Sequence, residues 1–291
     1  MSLTFVDWRA AMADPTPRRR RVARQATVVR TERVTPHLVR VVLGGEGLAG
    51  FAPVHTDSYV KLVLPPRGAP YAAPFDPDAV QAEQPREFWP ATRTYTVRRW
   101  DRAAGELTLD VVTHGDEGLA GPWATAAVPG DAVVLFGPGG AYTPDAGADW
   151  HLLVGDESTL PAIAASLERL PAGARAFAFV EVADAAEEQA IDLPEGAELT
   201  WVHRGDGAPG AALVAAVLSA PLPDGAPQAF VHGEAGAVRE LRRWLRGTLA
   251  VPRELLSVSG YWRIGRTEDR WQAEKPEWNA AVEAEEDSLP V

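Results

Sequence analysis

Four consecutive residues, Arg93-Thr94-Tyr95-Thr96, put a guanidinium, an aromatic ring and hydroxyls into one short segment. That set suits a ligand carrying both a phosphate and a flat ring. A second cluster runs from His114-Gly115 into Gly118-Leu119-Ala120-Gly121-Pro122-Trp123-Ala124. Glycines ahead of a short helix expose backbone N–H groups, which suits a pyrophosphate. A third, Gly155-Asp156-Glu157-Ser158-Thr159, follows an apolar run and opens a helix with Pro161 near its first turn. At such a corner the segment reads as a dinucleotide site, or as acids capping a helix. Gly205-Asp206-Gly207-Ala208-Pro209-Gly210 also fits G-x-G-x-x-G. Too little chain follows it for a full doubly wound domain, so it reads as a loop at a sheet edge.

These clusters need elements to hold them. Strands are expected at 23–31, 37–43, 58–64, 93–100, 106–113 and 132–136, rich in Val, Thr and aromatics and bounded by turn residues. With one short helix near 121–127 they predict a six-stranded antiparallel β-barrel. The proline-rich stretch from Pro65 to Pro90 shows no periodicity and reads as a long loop. After a polar boundary at 142–149, strands at 151–154, 176–182, 199–203, 229–232 and 255–260 alternate with helices at 160–170, 211–218 and 235–249. That rhythm predicts a parallel sheet covered on both faces. The domains expected are therefore 20–142, 150–265 and an acidic extension, 266–291, that is either docked or solvated.

Composition narrows the chemistry. The 291 residues carry 28 basic and 40 acidic side chains, a formal net charge of -12, which argues against nucleic-acid binding. Absence of cysteine removes disulfides, thiolate metal sites and cysteine nucleophiles together. No apolar run is long enough to span a membrane and the start lacks a signal-peptide pattern, so a cytoplasmic protein without stable membrane association is expected. Residues 1–144 hold 16 Lys/Arg and 15 Asp/Glu, whereas 145–291 hold 12 and 25. The basic residues are nearly all arginine, Lys61 and Lys275 being the two exceptions. The run Arg18–Arg21 reads as a solvated arm.

The segments Arg93–Thr96, His114-Gly115 through Trp123-Ala124, Gly155 through Ile163, His232-Gly233-Glu234-Ala235 and Gly260-Tyr261-Trp262-Arg263 are more informative together. In this order, over roughly residues 22–270, they resemble the siderophore-interacting protein family, a branch of the ferredoxin-reductase-like flavoproteins. The resemblance implies an FAD barrel followed by an NAD(P)H-binding α/β domain. It implies reduction of ferric siderophores, with release of Fe(II) in the cytoplasm and electrons passing from NADH or NADPH through the flavin. Cofactor-binding residues implied are Arg93, Tyr95, Thr96, Val111, His114, Gly118, Ala120, Gly121 and Trp123 in the first half. In the second they are Gly155, Asp156, Glu157, Ser158, Thr159, Gly233 and Glu234. No catalytic side chain and no metal site are expected.

For the substrate, the resemblance marks Lys61, in a segment like the family's "VKL", and Arg263, in its "GYWR". Three positions depart from it: Gly139 and Ile264 stand where bases are expected, and Leu119 where a proline is common. A thinner basic pocket leaves hydroxamate or mixed-ligand siderophores open. Acids at Glu181, Asp184, Glu187 and Glu188 oppose a 2′-phosphate while Arg204 offsets them, which tilts the donor towards NADH. The protein is expected to be a monomer. The alternatives are an electron-transfer flavoprotein working with a protein partner such as ferredoxin, and a siderophore-binding module without enzymatic activity.

Overall fold

A computed structural model describes residues 22–287, with side chains to 285, so the Arg18–Arg21 run lies outside the described residues. The first six strands are β1 (Arg24–Thr35), β2 (Leu38–Gly44), β3 (Tyr59–Leu64), β4 (Ala91–Asp101), β5 (Glu106–Val112) and β6 (Ala132–Gly139). They close into an antiparallel barrel in the order β1-β2-β5-β4-β3-β6. Alternation along each strand explains the closure. Val60, Leu62 and Leu64 enter the barrel core with Val39, Val41, Leu43, Leu107 and Leu109, while Tyr59 and Lys61 face out. Each fully buried leucine contributes about 2 kcal/mol.

The stretch from Pro65 to Pro90 is not the structureless loop expected. It contains α1 (Pro77–Glu83), capped by Asp76, whose side chain accepts from the Asp78 N–H at 2.9 Å. Pro77 stands at the first helical position, where a missing N–H costs nothing. The Asp-Pro pair was the available signal. Arg67 ties this segment to the Asp116 carbonyl in the glycine turn after β5. That turn leads into α2 (Ala120–Ala126).

The second half holds β7 (His151–Asp156), β8 (Ala176–Val182), β9 (Ala197–His203), β10 (Gln228–Glu234) and β11 (Leu256–Trp262), all parallel, in the order β11-β10-β7-β8-β9. α4 (Ala211–Ser219) and α5 (Ala235–Gly247) pack on one face with Leu152, Val154 and Val231. α3 (Leu160–Leu167) covers the other with Leu153, Val180 and Phe230. α3 ends three residues earlier than expected. Its last turn tightens, Arg169 N–H donating to the Ser166 carbonyl at 3.1 Å, because Pro171 cannot continue it.

The acidic extension is docked. α6 (Glu268–Asp287) buries Trp271 and Val282, and Trp271 packs edge-on against Trp278 with ring centroids 5.5 Å apart. No helix among the described residues is long and apolar enough to cross a membrane.

Candidate functional site

The register between β4 and β5 runs from Asp101↔Glu106 to Val97↔Leu109 and goes no further. Beyond it the two strands part, and the first two sequence clusters flank the gap. Tyr95 is half-buried against the barrel core, and burial pushes its phenol pKa up. Thr96 is buried and pairs with Tyr59. Val111 gives its side chain wholly to the core, so it offers only backbone here. Arg93 makes a two-point ion pair with Asp269 in the first turn of α6, at 2.9 and 3.1 Å. Across the gap, Gly118 adopts φ 72° with open space where a side chain would stand. Ala120 and Gly121 are buried at the start of α2 and Trp123 packs on the barrel core. The first turn of that helix has no side-chain cap and no acid, and since Pro122 carries no N–H, the donors it presents are those of Ala120 and Gly121.

The other site residues lie where the sheet reverses its strand order, at the carboxyl ends of β7 and β10. Here several side chains are internal. Asp156 accepts from the Ser158 N–H at 2.9 Å, from the Ser158 hydroxyl, from the Glu234 N–H at 3.0 Å and from Trp262 Nε1–H at 2.7 Å. Burial nonetheless raises its pKa to about 6. Gly233 passes so close that a Cβ would sit 2.6 Å from Asp156 Oδ2. Glu234 caps α5, accepting from the N–H groups of Gly236 and Ala237. Thr159 is fully buried and donates to the Asp156 carbonyl at 2.9 Å. Gly155 is equally constrained: a methyl there would fall 1.8 Å from Thr159 Oγ1 and 2.9 Å from the His232 carbonyl.

Glu157 and His114 instead reach the boundary between the two halves. They line an interdomain crevice of about 150 Å3 with His37, Val112, Leu160 and Arg204. Arg204 is held by Glu157 at 3.0 Å and by the fully buried Glu181 at 3.2 Å. Glu181 also accepts from the Gly210 and Leu213 N–H groups, so the Gly205–Gly210 loop is anchored as a helix entry. Glu187, which also lines the crevice, accepts from Thr35 Oγ1 and pairs with His37 at 2.6 Å.

Lys61 projects from β3 opposite Thr94 and Phe136. Gly139 lies beneath a neighbouring ring, its Cβ position only 2.6 Å from Tyr59 Cζ, so an arginine there would displace Tyr59. Arg263 is partly exposed and 4.0 Å from Glu274 on α6. Lys275 and His232, which the sequence reading left unassigned, also face this region. The buried ring of His232 stacks on Phe230 with centroids 3.9 Å apart, meets Tyr261 edge-on, and approaches Ser257 Oγ at 3.0 Å through Nε2. Its Nδ1 has no hydrogen-bond partner among the described residues. The only advance signals were the rarity of lysine and the His-Gly-Glu segment.

Burial, and then the charge of Lys275, lower the His232 pKa to about 3. Unfolded histidine titrates near 6.5, so between these values the unfolded chain binds the extra proton. Stability from the neutral ring is thus present above pH 6.5 and is lost as pH falls. Between pH 6.5 and 4.5 the wild type should lose about 2 kcal/mol more than His232→Gln. Urea unfolding of both proteins at the two pH values checks this; equal losses would refute it.

With this geometry in place, comparison with known proteins is direct. Residues 27–142 match the siderophore-interacting FAD-binding domain, and residues 148–265 match the model described as siderophore-interacting protein. An uncharacterized protein of Mycobacterium tuberculosis is 44% identical over 276 residues, 88% of this chain and 96% of that one. Ferric vibriobactin reductase ViuB of Vibrio cholerae is 34% identical over 249 residues, covering 85% of this chain and 92% of the relative. The crystal structure of the siderophore-interacting protein SipS from Aeromonas hydrophila superimposes with a TM-score of 0.77 at 33% identity, over 89% of this chain and 99% of that one. Both halves of the fold and nearly the full length of its relatives are covered, so this chain belongs to the siderophore-interacting protein family.

Proposed function

We propose that this protein is an FAD-dependent reductase of ferric siderophores, acting in the cytoplasm with NADH as electron donor. The observation that carries this reading is the interdomain crevice. Its lining includes His114, from the segment after β5, and Glu157, from the turn at the sheet's reversal point. A flavin held by the barrel and a nucleotide held by the sheet would meet there.

The residues present fit FAD. Arg93 would supply a fork-shaped cation for a phosphate, Tyr95 a ring edge, and the uncapped start of α2 the N–H groups of Ala120 and Gly121. When bound, FAD supplies the change from a two-electron hydride donor to a one-electron metal acceptor. The protein's share is placement. Tyr95 and Thr96 would line the ring site, and Arg93 with the Gly118 turn would hold the phosphate end. Val112 and Leu160 contribute apolar walls to the crevice. Lys61 and Arg263 favour an anionic chelate at its edge.

The donor follows from charge. Arg204 is already neutralised by Glu157 and Glu181, so a nucleotide 2′-phosphate at that edge would meet net negative charge. In anaerobic stopped flow on FAD-loaded protein, NADH should bleach the flavin at least about tenfold more efficiently than NADPH, and a ferric siderophore should restore its colour. If neither nucleotide bleaches the flavin, the donor is a protein such as a ferredoxin. If the bleached flavin does not reduce any ferric siderophore, the reading fails.

A further inference from the structure

Strand β4 carries Arg93, Tyr95 and Thr96, and beyond them Arg98. The register slips at that point. Val97 faces Leu109 and Arg99 faces Thr108, so Arg98 is an extra residue without a register partner on β5. A bulge of this kind re-aims a side chain. Val97 and Trp100 keep to the barrel core, while the Arg98 guanidinium reaches across to the other half of the molecule. It grips Glu168, the residue that ends α3, through Nη1 at 2.9 Å and Nη2 at 2.5 Å.

Charge explains the grip. On the barrel, buried Asp110 is held by Arg40 at 2.7 and 2.8 Å and lies 4.0 Å from Arg98 Nε. One carboxylate therefore faces two guanidinia, and the barrel alone leaves Arg98, its side chain 13% exposed, short of an anion. Glu168 supplies it from the α/β half. Its neighbours reach the barrel too: Ser166 Oγ lies 2.8 Å from Thr56 Oγ1, and Arg169 donates to the Val54 carbonyl at 3.0 Å. Beside this contact the halves stand apart, leaving a groove of about 860 Å3 that Thr31, Thr108, Asp192 and Pro194 help to line.

Both ends of this clamp lead to a candidate ligand site. α3 opens on the Gly155–Thr159 corner and is eight residues long, so its far end stands about 12 Å from that corner. Its first residue, Leu160, lines the interdomain crevice with Val112 and His114. Fixing the far end of so short a helix to β4 fixes the corner relative to the strand that bears Arg93, Tyr95 and Thr96. We propose that Arg98 and Glu168 are a positioning pair, which sets how a nicotinamide held at the β7 corner approaches a flavin held along β4. This rests on the reductase reading above. Neither residue touches a reacting atom; each acts through the element it anchors. Transfer between two bound partners is steep in their separation, and a misplacement of about 1 Å can cost about 100-fold in rate.

The test uses the full-length protein with Glu168→Gln and Arg98→Gln, singly and together. Loaded with FAD, each single variant should show a limiting rate of flavin bleaching by reduced nicotinamide nucleotide about tenfold below wild type. The double variant should lose no more than either single one, because the pair is already broken. Photoreduction of the same flavin, which needs no nucleotide, should be unchanged, as should the FAD dissociation constant. In FAD-free protein, hydrogen exchange at residues 54–56 and 166–170 should rise in both variants, while that of β1 and β2 stays as in wild type. Glu168→Gln leaves the Arg40–Asp110 pair intact, so it decides the matter if Arg98→Gln does not fold. An unchanged limiting rate or unchanged exchange in Glu168→Gln, additive losses in the double variant, or photoreduction that slows in parallel overturns the positioning role alone. If neither NADH nor NADPH bleaches the wild type, the reductase reading fails and this inference falls with it.

Discussion

Asp156→Ala is expected to destabilise the α/β half by about 4 kcal/mol, lowering the midpoint of its thermal transition by about 10 °C. The reason is the number of separate elements that one carboxylate joins. Oδ2 receives the Glu234 N–H at the end of β10 and the Trp262 indole N–H at the end of β11. Oδ1 receives both donors of Ser158 in the turn before α3. Truncation leaves the buried donors without acceptors, each costing about 1–3 kcal/mol, and it leaves Gly233 without the atoms it packs against. Asp156→Asn keeps the shape but turns an NH2 towards one pair of donors, so it should lose roughly half as much. Urea and thermal unfolding of the full chain give both numbers. A loss below about 1 kcal/mol for the alanine variant would mean that water replaces the carboxylate and that these strand ends are held by packing alone.

The same carboxylate shows what sequence can and cannot reveal. Gly155 through Thr159 advertises a strand-to-helix corner, and the corner forms at the reversal point of the sheet. Its composition could not say which of its side chains look outward. Only the three-dimensional meeting of β7, β10 and β11 turns Asp156 inward and leaves Glu157 for the crevice. The barrel strands were legible because alternation and turn residues agree, as Val60-Lys61-Leu62 and its neighbours show. α1 was hidden by prolines that mark its start as readily as a loop. α6 was hidden for a related reason: Pro276 and a surplus of acids mask its Trp271-Lys275-Trp278-Val282 stripe. Its docking depends on partners remote in sequence, chiefly Gly260 and Arg93. Likewise, Arg204 offered a cation for a 2′-phosphate in sequence. Its neutralisation by Glu157 and Glu181 is a property of the folded chain alone.

Arg93→Ala and Asp269→Ala should move FAD affinity in opposite directions. In the structure both nitrogens of the Arg93 fork engage Asp269, while the motif assigns that fork to a phosphate. A guanidinium cannot serve two anions with the same pair of N–H groups, so the carboxylate of α6 competes with the cofactor. A charge-assisted, two-point contact contributes about 1.5–3 kcal/mol, so Arg93→Ala should raise the FAD dissociation constant about 100-fold. Asp269→Ala frees the guanidinium and should lower that constant about threefold, since the pair it breaks is largely solvent-exposed on the carboxylate side. Riboflavin, which lacks phosphate, supplies the control. Its binding should change little in Arg93→Ala, because the ring site proposed at Tyr95 and Thr96 is left intact. If Arg93 serves only to fasten α6, the two substitutions break the same pair and loosen the same helix. FAD and riboflavin would then weaken together in both variants, and the phosphate role would be excluded.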